Sequence, residues 1–112
     1  MNLEIIISEL NLELLTVEKD FSQVIPSKGY ASDLLSCVIA GAQNDGIWIT
    51  VQSHINIVAV AALLNLSAII ISENSQLDAE TIKKANEEGI TILISTEETY
   101  SISGKLWSMG LH

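Results

Sequence analysis

From Gly46 to the C-terminus, hydrophobic positions switch between two periods. "IWITV" (47–51) is β-branched and aromatic, the composition of a strand. "INIVAVAALLNL" (55–66) places Ala and Leu at helical positions and is apolar nearly all round. "AIII" (68–71) is a continuous apolar run, which suits a parallel strand covered on both faces. "DAETIKKANEEG" (78–89) is amphipathic. Asp78 stands where an N-cap belongs, Leu77 and Ile82 are spaced as a hydrophobic staple, and Gly89 sits where a left-handed residue ends a helix. "ITILI" (90–94) reads as a third strand. "STEE" (95–98) reads as a capping box opening a last helix, 97–109, with Ser95 accepting from the helix start and Glu98 reaching back.

The β-α-β-α-β-α alternation from about residue 46 predicts a single α/β domain over 1–112, with a mostly parallel sheet flanked by helices and right-handed crossovers. The N-terminal part is less regular. "LEIIISEL" predicts a short helix with Leu3, Ile6, Ile7 and Leu10 on one face. "LELLT" (12–16) reads as a strand, "SQVIPS" (22–27) as extended chain, and "SDLLSCVIAGA" (32–42) as a helix capped by Ser32 or Asp33. Cys37 shares a helical face with Leu34 and Val38, the setting of a buried free thiol. Trp48 and Trp107 read as core or interface residues.

Composition narrows the partners. The chain has 112 residues, 48% of them hydrophobic, with 14 acidic and 5 basic side chains for a net charge of -9. A chain this acidic is a poor match for nucleic acid or an anionic membrane surface, which are held by Lys and Arg. The single Cys37 forms no internal disulfide and holds no iron–sulfur cluster or structural zinc. Nothing at the N-terminus reads as an export signal, so the expected address is the cytoplasm. The longest unbroken apolar run, Ile57–Leu64, is far short of the ~20 residues a spanning helix needs.

Gln52, Ser53, His54 and Asn56 interrupt the most apolar part of the chain. They fall at the turn from strand 47–51 into helix 55–66, on the sheet edge where open α/β folds bind ligands and where helix N–H groups receive anions. Ser53 is expected to cap that helix. His54 follows in the first turn, where a ring nitrogen can donate or accept, and Asn56 either caps a neighbouring loop or faces a pocket. Asp33, after "GYAS", is expected at a helix start. These five residues form the expected ligand-binding set, and no cofactor is indicated. There is no P-loop, no G-x-G-x-x-G and no G-x-S-x-G elbow. The pattern favours a binding module over an enzyme. The weaker alternative, His54 as general base, lacks a nucleophile and an orienting partner.

The stretch "GYASDLLSCVIAGAQNDGIWITVQSHINIVAVAALLNLSAIIIS" and the following "DAETIKKANEEGITILIS" resemble the small stand-alone members of the DRTGG-domain family. The resemblance covers nearly the whole chain. These domains are similar to the N-terminal domain of HPr kinase/phosphorylase, and they occur among CBS domains in the regulatory regions of pyrophosphatases and in some phosphotransacetylases. The resemblance implies a regulatory or sensory α/β module, commonly dimeric and without catalysis of its own. It also implies an association with hydrogenase and electron-transfer genes, hence a possible redox-enzyme partner. The namesake Asp-Arg-Thr-Gly-Gly run is absent. Where members open the central helix with Gly-Asp-Arg-x-Asp-Ile, this chain has "QSHINI", with His54 at the Arg position, Asn56 at the second Asp and Ile57 at the Ile.

Two readings follow. One is a ligand-sensing module that binds a small anion such as a nucleotide at 52–56. The other is a protein-interaction accessory of a hydrogenase or other redox complex, suggested by the acidic surface and the resemblance. A homodimer is expected in either case. Helix 55–66 runs Ile57, Val58, Ala59, Val60, Ala61, Ala62, Leu63, Leu64, and a helix apolar all round needs cover on every side.

Overall fold

The computed structural model describes all residues, 1–112. Its elements are α1 (Leu3–Glu9), β1 (Glu13–Leu14), β2 (Gly29–Ala31), α2 (Leu35–Gly41), β3 (Ile47–Thr50), α3 (Asn56–Leu64), β4 (Ala68–Ile71), α4 (Ala79–Glu88), β5 (Ile92–Ile94) and α5 (Thr99–Ser108). They form one five-stranded sheet in the order β1-β5-β4-β3-β2. β2, β3, β4 and β5 are parallel neighbours, and β1 pairs antiparallel with β5 at the edge. No helix is long and apolar enough to cross a membrane.

The strand order decides where the helices lie. From β2 to β5 each crossover steps one strand in the same direction. A right-handed crossover repeated in one direction keeps every connecting helix on the same face. Accordingly Val38 of α2, Ile57, Val58 and Ala61 of α3, and Ala85 of α4 pack with Trp48, Ile69, Ile71 and Ile92 into one core. The other face of the sheet, through Ile47, Ile49, Ala68, Ile70 and Leu93, packs on Leu3, Ile6 and Leu10 of α1, on Phe21, and on Ile102 and Leu106 of α5. All four residues of β3 and of β4 are buried, as a strand covered on both faces requires.

Several expectations hold. α1 forms with Leu3, Ile6 and Leu10 buried on one face, and Asn2, not foreseen as a cap, accepts from Ile5 N–H at 2.9 Å. α4 is capped by Asp78 and ends on Gly89 at φ 71°. Trp48 is buried, its Nε1 donating to Ser32 O at 2.8 Å.

Others are corrected. The segment expected to be extended from residue 22 begins instead in a 3-10 turn, Phe21–Gln23, because the Asp20 carboxylate accepts from Ser22 N–H and folds the chain back locally. Strand 12–16 shortens to Glu13–Leu14. β2 was not expected as a strand, since Gly and Ala disfavour strands and flank a lone Tyr; its place beside β3 makes it one. Neither Ser32 nor Asp33 caps α2, which starts only at Leu35 and has no side-chain cap. The capping box before α5 does not form. Ser95 Oγ accepts from Glu97 N–H at 3.0 Å, a tight local turn, and the helix opens later without a side-chain cap. Cys37 is exposed, not buried. Trp107 lies at the surface, 63% exposed, with its ring 4.7 Å from that of His112.

Candidate functional site

The C-terminal edge of the parallel strands gathers four loops: after β2 (Ser32, Asp33), after β3 (51–55), after β4 (72–78) and after β5 (95–98). Hydrogen bonds bind them together. The Asp33 carboxylate accepts from Thr50 Oγ1 at 2.7 Å and from Val51 N–H at 2.9 Å. Gln52 Nε2 donates to Asp33 O at 2.9 Å, and its own N–H is received by Thr50 Oγ1 at 3.0 Å. Ser75 Oγ donates to Val51 O at 2.9 Å. Ser72 Oγ and Thr99 Oγ1 share a bond of 2.6 Å. The turn after β4 passes through left-handed Glu73 (φ 56°) and Asn74 (φ 52°), held by Glu73 N–H to Glu97 O and Asn74 N–H to Ser95 O, each at 2.8 Å.

Two of the carboxylates on this edge are committed to their own helices. Asp78 accepts from Thr81 N–H and Thr81 Oγ1, both at 2.9 Å. These bonds, the backbone one first, hold its carboxyl below the usual aspartate range, and the charge of nearby His54 acts in the same direction. Glu97 accepts from Lys105 Nζ at 2.6 Å and Ser101 Oγ at 2.9 Å, and the Lys105 bond, followed by that of Ser101, keeps its carboxyl below the usual glutamate range.

The five expected site residues therefore divide. Asp33 and Gln52 are framework: they pin the exit of β3 to the loop after β2. Ser53 is not the cap of α3, which has no side-chain cap at all; its carbonyl instead receives Thr81 Oγ1 at 3.4 Å from α4. His54 and Asn56 are exposed, and neither side chain is held by another group of the chain. The backbone N–H groups of residues 53–56 likewise have no acceptor within the chain, whereas Ile57 and Val58 N–H turn back to His54 O and Ile55 O at 3.2 and 3.1 Å. Unsatisfied donors at the positive end of a helix dipole are an anion-receptive arrangement.

Beside this helix start lies a groove of about 390 Å³ between α3 and α4, lined by Ile55, Asn56, Val58, Ala59, Ala62, Lys84 and Glu88. Its size falls within the range of small-molecule sites. Its walls are apolar on the α3 side and charged on the α4 side, where Lys84 Nζ lies 3.2 Å from Glu88 Oε1. Sequence reasoning found Asn56 but not Lys84 or the apolar α3 wall. Lys84 reads as an ordinary solvent-face lysine until α4 is set against α3. A larger depression, about 650 Å³, lies between α1 and α5, bordered by Glu9, Leu10, Tyr100, Gly104, Lys105 and Met109. No group of three or more His, Cys, Asp or Glu side chains converges anywhere to hold a metal.

The sheet winds in one direction only, so its C-terminal edge has no point where strand order reverses. The crevice that such a reversal opens in doubly wound folds is absent. The concavity next to 52–56 arises instead between two neighbouring helices of one face.

No family model matches the sequence, and no curated protein matches it. Among solved structures, the chain is similar to the CBS and DRTGG domains of the regulatory region of the Clostridium perfringens pyrophosphatase, complexed with its activator diadenosine tetraphosphate. The TM-score is 0.75 at 18% identity, over 91% of this chain and 44% of that one, so this chain spans less than half of its structural neighbour. At that identity the likeness is one of fold: this chain has a fold found in the CBS and DRTGG regulatory region of a pyrophosphatase.

Proposed function

We propose that this chain is a non-catalytic, ligand-sensing regulatory module of the DRTGG kind, and that it binds a small anionic ligand such as a nucleotide at the start of α3. The carrying observation is the run of free N–H groups at 53–56 next to the α3–α4 groove, whose near end Ile55 and Asn56 line. In this reading the phosphate end sits on those donors beside His54 and Asn56. The less polar end lies along Ile55, Ala59 and Ala62, with Lys84 opposite. Asp33 and Gln52 hold the loop in shape. The pyrophosphatase region of the same fold is complexed with a dinucleotide activator, which supports a nucleotide as the first class to try.

Thermal-shift titration with ATP, AMP, diadenosine tetraphosphate and acetyl phosphate tests this directly. A ligand at ~100 times its dissociation constant adds about 2.7 kcal/mol to stability. His54→Ala and Lys84→Glu should each abolish the shift. Asn56→Leu should leave the unliganded melt unchanged, because Asn56 is exposed and unpaired, while reducing binding. No shift with any of these compounds removes the proposal.

The module is further proposed to act as a cytoplasmic homodimer through the outer face of α3. Ala59, Ala62 and Leu63 are exposed there, Leu63 to 70%. Sedimentation at micromolar concentration decides it: a stable species at monomer mass ends the dimer. The second reading, an accessory of a redox-enzyme complex, rests on the same apolar face and the net charge of -9. A partner held by charge is retained at low salt and lost at high salt; a purified hydrogenase that fails to bind at low salt counts against it.

A further inference from the structure

β2 is the outermost strand on its side of the sheet. On its inner side, Ile47 N–H donates to Lys28 O at 2.8 Å and Ser32 N–H donates to Ile49 O at 3.2 Å. In a parallel ladder the residues of an edge strand alternate between bonding inward and facing out. Tyr30 therefore bonds to β3, while the N–H and C=O groups of Gly29 and Ala31 point to the open side, where no group of the chain meets them. Ala31 is exposed.

A cavity of about 190 Å³ adjoins this edge. It lies between β2 and α5, and Ala31, Ile49, Leu106, Trp107 and Leu111 line it together with Gly29. It is mostly apolar and large enough for one side chain. Gly29 keeps it open without being required by the fold. A Cβ at Gly29 would meet Leu111 Cδ2 at 3.6 Å and Ile49 Cδ1 at 3.9 Å, ordinary contacts, and its φ is not in the left-handed region. A strand glycine marks a bulge, a bend or the close approach of another backbone, and the register of β2 on β3 runs through Gly29 without a bulge. Trp107, 63% exposed at the cavity wall, is of the residue type that most often anchors protein contacts.

We propose that the open edge of β2 receives an extended segment of a partner protein as an added strand, with one large apolar side chain of that segment seated between β2 and α5. Unpaired backbone groups select an extended peptide, and the adjacent pocket selects one alternate side chain, which is how strand-addition sites divide affinity from specificity. The net charge of -9 selects a segment that is neutral or basic. This site is independent of the groove between α3 and α4.

Random short peptides displayed and selected on the wild-type chain, with counter-selection on Gly29→Val, provide the probe. Val at 29 fills the cavity, and Ala31→Pro removes an outward donor while leaving the β3 ladder intact. Enriched peptides should carry a large apolar residue and bind the wild type about tenfold more tightly than either variant. They should also slow amide exchange at Gly29 and Ala31. Trp107→Ala, a surface change, should weaken binding as well, and it carries the test should the strand variants fail to fold. Peptides that bind all variants equally, or no enrichment over the counter-selected pool, overturn the proposal. So does a wild-type dimer whose Gly29 and Ala31 amides are protected without peptide, which would assign the edge to a second copy of this chain.

Discussion

α3 and α4 lie side by side on one face of the sheet and are built in opposite ways. α4 completes itself. Asp78 caps its start, Gly89 closes its end, Lys84 and Glu88 pair on its surface, and only Thr81 and Ala85 are buried. Lys19 Nζ and the Val17 N–H add bonds to Gly89 O and Asn86 Oδ1 near its C-terminus. α3 has no side-chain cap, no charged residue, and four buried residues, Ile57, Val58, Val60 and Ala61. Its entry is set by Asp33 and Gln52, which belong to the loops before it and not to the helix. A helix that satisfies its own termini is a structural part. One that leaves donors at its start and apolar residues on its outer face is available to something else.

The strongest test of this contrast is in the core. Ile57→Ala, at a fully buried position of α3, should cost about 2–5 kcal/mol in a denaturant melt, whereas Ile82→Ala, half-buried on α4, should cost clearly less. Equal costs would mean that α4 depends on packing as much as α3 does. Next, Asp33→Ala should cost about 1–3 kcal/mol, because it leaves the buried Thr50 hydroxyl and the Val51 N–H without their acceptor. That loss would show that α3 is positioned from outside.

A smaller effect is expected at Asp78. Its carboxyl is held below its ordinary value in the folded state, so the unfolded chain binds the proton more readily. Its contribution is therefore present at neutral pH and is lost as pH falls below the ordinary aspartate range and through the lowered folded value. Asp78→Ala should lower the melting temperature at pH 7 and make no difference at strongly acid pH; a pH-independent difference would contradict the capping role. Least of all, Ser53→Ala should change stability by no more than about 0.5 kcal/mol, since its hydroxyl caps nothing and is only half-buried. A cost near 1 kcal/mol at Ser53 would restore it as a cap.

The two helices were not equally legible. Asp78 and Gly89 are local signals, and a cap works through bonds within a few residues, so α4 could be read with its ends correct. The same rule applied at Ser53, Asp33 and Ser95 failed. At two of them the oxygen expected to cap a helix is taken by a neighbouring strand or turn, Asp33 by Thr50 and Val51 and Ser95 by Glu97, while the Ser53 hydroxyl meets no helix N–H at all. Polar side chains crowded at a sheet edge have many partners, and spacing along the chain does not choose among them.

By itself the sequence determined the α/β class, β3, β4 and β5 with the helices between them, and the position of the polar cluster at the head of α3. Those follow from hydrophobic period, which is a property of neighbouring residues. Only the tertiary structure decided that Gly29–Ala31 is a strand, that α2, α3 and α4 share one face, that Lys84 stands across a groove from Asn56, and that Gly29 and Ala31 are left facing out. β2 has too little apolar pattern to declare itself and becomes a strand because β3 offers it a ladder, although a helix leading into a parallel strand does imply a strand before it. Which donors remain free depends on every other group competing for the same acceptors, and that competition exists only once the sheet has been assembled.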